Sequence, residues 1–190
     1  MTTVLPVLET ERLIIRPFVP DDVARVAIVQ EEDDLEAARH YVLGTIASQE
    51  HLANLYQPPY GERAVVLKTE NVLIAAVGLV PCIMPFEQLP YFTNGAIPRA
   101  VVAGTAEVGM YWACDRAYRR RGYATEAAQA VVDYAFKRMN IKRILATTEY
   151  DNIESQGVMH KLGMRIERNP LLEPHYMQVV GILENDGGTP

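Results

Sequence analysis

Apolar and polar positions along the chain repeat with two periods. Residues 122–139 are the clearest case. Ala124, Ala127, Ala128, Val131, Val132, Ala135, Phe136 and Met139 recur at steps of three and one, which on a 3.6-residue helix makes one unbroken apolar stripe. Residues 8–16 alternate raggedly and read as one strand stopped by Pro17. Pro20, Asp21 and Asp22 suit the start of a helix over 20–30. A second helix is expected over 34–55, closed by Pro58 and Pro59. Residues 63–68 and 72–80 read as a hairpin with Asn71 in its turn. Then come a strand over 105–113, the helix over 122–139 and a strand over 143–149. A helix over 152–162 stopped by Gly163 follows, and then strands over 164–167 and 177–183. The order predicts a mixed α/β domain around one sheet.

Residues 81–103 have no sustained period and carry Pro81, Pro85, Pro90 and Pro98 among Phe86, Tyr91 and Phe92. Loops this long are usually functional or mobile. The preferred reading is that this one borders a ligand-binding groove, helped by a second subunit. The plainer reading is that its aromatics pack on the protein's own sheet.

The 190 residues suit one domain, expected over 1–190 with a core of about 8–184 and a disordered tail over 185–190. The longest apolar run, residues 72–84, is broken by Gly78 and Pro81 and falls short of a membrane span. The N-terminus lacks a basic stretch followed by an apolar one, so the expected location is cytoplasmic. A net charge of −6 argues against nucleic acid as a partner. The local cluster Arg116, Arg119, Arg120 and Arg121 suggests a small anion instead. Cys82 and Cys114 form no disulfide framework, and the four histidines have no ligand spacing, so no metal is expected.

The cluster lies where residues 105–113 pass through a short loop into the best helix. Gly122 at that hinge lets backbone amides approach a ligand closely. The helix start adds unpaired N–H groups and a positive dipole end, and arginines add charged donors. Together these suit phosphate or pyrophosphate. No Gly-Lys-Ser/Thr follows and no G-x-G precedes, which excludes the nucleoside-triphosphate and dinucleotide loops.

Arg119-Arg-Arg-Gly122-Tyr-Ala124 resembles the Q/R-x-x-G-x-G/A signature of GNAT N-acetyltransferases. Three further segments agree in order: Glu9-Thr-Glu-Arg-Leu-Ile-Ile-Arg-Pro-Phe18, Ala106-Glu-Val-Gly-Met-Tyr-Trp112, and Asn152-Ile-Glu-Ser155 followed by Lys161-Leu-Gly-Met164. They are similar to the branch that holds the ribosomal-protein N-terminal-alanine and -serine acetyltransferases. The resemblance spans about residues 8–184 and implies a central, mostly antiparallel, splayed sheet flanked by helices.

It implies acetyl-CoA as co-substrate and a primary amine as acceptor, either a protein N-terminal α-amine or a small molecule, attacked directly in a ternary complex. The pyrophosphate would lie on the amides of Arg120, Arg121, Gly122, Tyr123 and Ala124 with Arg119 beside it. The pantetheine arm would pair with Val108 and Met110 and touch Asn152 and Ser155. Asn152 also suits a plain helix cap. Glu107 is the candidate base, against a plain strand-end carboxylate. Met159 stands where many members carry an acidic tyrosine, which leaves Ser155 or Tyr176 as candidate acid. A non-catalytic acyl-CoA sensor of the same fold is the alternative, and a monomer or homodimer is expected. An α-amine with pKa about 7.7–8.0 is partly neutral at pH 7, unlike a lysine amine at about 10.4, so weak acid–base equipment favours the first.

Overall fold

The computed structural model describes residues 5–57, 61–95 and 102–185. The expected helix stop at Pro58 and Pro59, the loop proline Pro98 and the tail beyond residue 185 lie outside them. The fold is mixed α/β with mostly antiparallel strands. The described residues form eight strands and four α-helices, grouped in two compact units.

The first unit contains strands β1 (Leu8–Glu9), β2 (Leu13–Arg16), β3 (Gly61–Leu67) and the larger part of β4 (Val72–Met84). Successive strands pair antiparallel, with Ile14 opposite Val66 and Ala64 opposite Ala76. Helices α1 (Val23–Gln30), α2 (Leu35–Asn54) and α3 (Tyr123–Lys137) complete it. Phe18, Val26, Val29 and Val42 pack on Ala64, Val66, Leu73 and Ala76 in one core. On α3 the expected stripe is the buried face: Ala127, Ala128, Val131, Val132 and Ala135 are all buried. Each valine removed from water contributes on the order of 1.5–3 kcal/mol, and the alanines let the helix approach closely.

The single strand expected over 8–16 is two strands that fold back on each other, Leu8 opposite Ile15. The reversal falls at Thr10, whose N–H donates to Leu13 O (3.0 Å) and whose hydroxyl accepts from Leu13 N (3.0 Å). The hairpin over β3 and β4 turns at Asn71 with φ of 53°, a left-handed conformation Asn tolerates. β4 runs on through Pro81 to Met84, four residues past the expected end at Val80.

The second unit contains β6 (Arg143–Thr148), β8 (Val179–Glu184) and β7 (Arg165–Arg168), antiparallel in that order, with α4 (Ile153–Lys161). Strand β5 (Thr105–Cys114) starts in this unit, parallel to β6 with Gly109 opposite Leu145, and enters the first unit at Met110. The described part of the long loop forms two 3-10 turns, Phe86–Gln88 and Pro90–Thr93. Phe86 and Leu89 are fully buried against Leu145, Met177, Val180 and Ile182, with Tyr91 and Phe92 packed alongside. The packing of these aromatics follows the plainer reading. They close the core of their own unit.

Candidate active site

The chain leaves β5 at Asp115, a buried carboxylate that fixes the turn. Its N–H donates to Ile74 O (2.9 Å), its Oδ1 accepts from Ala117 N (2.9 Å) and its Oδ2 accepts from Arg25 Nη2 (2.7 Å). Arg25 Nε in turn donates to Leu73 O (3.0 Å). A charge withdrawn from water needs such a partner set. A 3-10 turn over Arg116–Tyr118 follows. Arg120 (φ 60°) and Gly122 (φ 84°) are then both left-handed. Gly122 is the N-cap of α3, and Glu126 N returns to its carbonyl (3.0 Å). No side chain caps this helix start, so its first amides point outward at the positive end of the dipole.

The four arginines divide. Arg116 and Arg119 both pair with Glu31, the left-handed C-cap residue of α1, and Arg119 Nε also donates to Cys114 O (2.9 Å). The bond from Arg116, helped by Arg119 and opposed by burial, holds the Glu31 carboxyl below its usual range. Arg120 and Arg121 are exposed, Arg121 over the Tyr118 ring at 5.6 Å. Sequence reasoning missed the supports beneath this turn: Glu31, Arg25, and a second cluster formed by Thr10, Arg12 and Glu126. Glu126 Oε1 accepts from Thr10 Oγ1 (2.5 Å) and Arg12 N (3.1 Å), while Oε2 accepts from Arg12 Nε (2.6 Å). All of these partners are remote in sequence, so no local pattern announces them.

The second unit contains Glu107. Both its oxygens accept from Arg143, from Nε at 2.9 Å and from Nη2. The guanidinium lies over Phe92 at 5.0 Å and Tyr91 at 5.9 Å, and Tyr91 donates its hydroxyl proton to Glu184. Arg143 is pushed up chiefly by its bonds to Glu107. Asn152 is the N-cap of α4, its Oδ1 accepting from Ser155 N (3.0 Å). The cap role read from sequence is thus present, and it uses Oδ1 rather than the amide nitrogen. Tyr176 sits half-exposed on a 3-10 turn, edge-on to His175 at 5.2 Å.

The model for the Acetyltransferase (GNAT) domain matches residues 12–165. The chain belongs to the GNAT acetyltransferase family. It is 51% identical over 63 residues to the uncharacterized N-acetyltransferase YnaD of Bacillus subtilis; that match spans 33% of this chain and only 36% of the relative. A GNAT-family acetyltransferase from Bacillus anthracis superposes with a TM-score of 0.67 at 22% identity, over 95% of this chain and 99% of that one. RimL, a ribosomal L7/L12 α-N-protein acetyltransferase solved in complex with coenzyme A, gives 0.65 at 16% identity over 96% and 98%. These structures establish the fold.

This GNAT chain departs from the family pattern at Met159, and the structure gives the position a packing role. Met159 is fully buried, and a Cβ on Gly181 would meet its side chain at 3.1 Å and Met164 Sδ at 2.7 Å. Cys82 is buried, and desolvation, then the nearby Glu107, pushes its thiol up to about 11; Cys114 is half-buried, its Sγ 3.6 Å from Asp115 O. The raised thiol of Cys82 does not suit a nucleophile. Among the described residues no three His, Cys, Asp or Glu are grouped to hold a metal, and no helix is long and apolar enough to cross a membrane.

Proposed function

We propose that this chain transfers an acetyl group from acetyl-CoA to a primary amine, either a peptide N-terminal α-amine or a small-molecule amine. The observation that carries the reading is the left-handed turn at Arg120 and Gly122, which ends on the uncapped start of α3. Amides aimed outward at a helix N-terminus, with Arg120 and Arg121 beside them, suit a pyrophosphate. The amides of Tyr123 and Ala124 belong to the same cradle. Arg119 supports it from behind, since its guanidinium already serves Glu31 and Cys114 O. Family membership and the coenzyme A bound to RimL support the identity of the anion.

In the proposed reaction the amine nitrogen attacks the thioester carbonyl directly. A C–N bond forms, the C–S bond breaks, and the departing thiolate takes a proton. Val108 and Met110 on β5 are the proposed partners of the pantetheine arm, joined by Ser155 and the amide nitrogen of Asn152. Glu107 is the proposed base and Ser155 or Tyr176 the proposed acid.

Replacing Gly122 with valine tests the cradle. A branched residue is strained at φ of 84°, and its Cβ would stand 3.4 Å from Arg12 Nη2. Acetyl-CoA affinity is expected to fall at least about tenfold, with the circular dichroism spectrum unchanged. Wild-type affinity in calorimetry removes the turn from the site.

A further inference from the structure

Glu126 poses an electrostatic problem for the proposed cradle. It lies in the first turn of α3, where a carboxylate gains from the helix dipole but competes with any other anion arriving there. Its neighbour Arg12, on the turn between β1 and β2, answers this. The two form an ion pair at 2.5 Å, with side chains 41% and 20% exposed for Arg12 and Glu126. Burial alone would raise the Glu126 carboxyl, but bonds from Thr10 and Arg12 outweigh it and hold the group below its usual range.

Arg12 does more than neutralise. Its Nη1 donates to Arg121 O at 3.1 Å, and its guanidinium covers the Tyr123 ring at 4.4 Å. In a planar trans peptide the carbonyl and the following N–H point opposite ways. Holding the Arg121 carbonyl toward Arg12 therefore turns the Gly122 N–H away from it, to the other side of the loop. The same guanidinium thus sets the direction of one cradle amide, stacks on the first residue of the helix and offsets the nearest negative charge.

We propose that Arg12 is a positioning residue of the cofactor site, which orients the Gly122 amide and screens Glu126 so that the start of α3 accepts a pyrophosphate. This rests on the coenzyme A reading above. Glu126 becomes, on this view, the repulsive group that Arg12 exists to silence.

The test uses the full chain with coenzyme A and with pantetheine, which lacks the pyrophosphate. Arg12→Met is expected to weaken coenzyme A about five- to tenfold in calorimetry and to leave pantetheine binding unchanged. Arg12→Met combined with Glu126→Gln is expected to recover at least half of that loss on a logarithmic scale, because the unscreened charge is gone. Arg12→Lys, which keeps the cation without the fork and preserves folding if the methionine variant does not, is expected to fall between. Recovery confined to coenzyme A, with pantetheine affinity level across the variants, is an outcome that a purely structural Arg12 does not produce. If Arg12→Met or Arg12→Lys binds coenzyme A like the wild type, or the double variant is no better than the single one, the proposal is overturned. If the wild type binds no coenzyme A, the cofactor reading itself falls.

Discussion

Replacing Glu107 with glutamine is expected to lower turnover by about 10²–10⁴-fold and leave coenzyme A affinity as it is. The paired replacement Arg143→Lys is expected to keep turnover within about tenfold of the wild type. The two variants separate a proton acceptor from a strut. Glu107 has both oxygens on Arg143, in a pair whose side chains are 19% and 13% exposed for Arg143 and Glu107. An ionised carboxylate has about four lone-pair sites, so the fork leaves directions from which a water can hand over the amine proton. Glutamine removes that capacity and sets an amide NH2 against a guanidinium donor. Lysine keeps a cation beside an intact carboxylate. Steady-state rates with labelled acetyl-CoA and an alanine-initiated peptide amide, with binding measured separately, read both effects. Equal losses in the two variants make the fork a strut and send the search for the base elsewhere.

The parts of this molecule that could be read from its sequence are those set by neighbours in the chain. The stripe on α3 needs only a 3.6 period, and Gly122 and Asn152 declare themselves as hinge and cap through local backbone chemistry. The break between β1 and β2 did not, because alternation runs straight through Thr10 and Arg12 and the reversal is held by Glu126, 116 residues away from Thr10. Pro81 looked like a strand end, but a proline costs a strand only the ladder bond its nitrogen would make. The division of the arginines was equally hidden. Arg116 and Arg119 look identical to Arg120 and Arg121 in the sequence, and only the left-handed end of α1 brings Glu31 to the first two. In the same way Glu107 reads as a lone strand carboxylate until β6 brings up Arg143. A single sequence shows which groups exist and what local shape they favour; long-range pairing decides which remain available to a ligand.

Arg63 is where that pairing fails, and replacing it with methionine is expected to stabilise the protein by about 1–3 kcal/mol at pH 7. Arg63 stands on β3 opposite Val77 and is 1% exposed, yet among the described residues neither Nη1 nor Nη2 has a hydrogen-bond partner. Burial pushes the guanidinium down to about 10, well below its ordinary value, with Tyr134 opposing the shift. The sign follows from linkage. A cation whose folded pKa is depressed costs stability at every pH below that value, where folded and unfolded chains are both protonated. The cost shrinks only as pH climbs through about 10 toward the ordinary guanidinium range. The gain from Arg63→Met is therefore expected to be flat between about pH 5 and 9 and to narrow above about 10. Methionine suits the site because its flexible thioether fills the space of the arginine stem without a charge. Urea midpoints of the two proteins across this pH range measure the gain directly. A methionine variant less stable than the wild type at pH 7 means that the guanidinium is hydrogen-bonded in solution. The position would then be a structural ion site rather than a buried charge left unanswered.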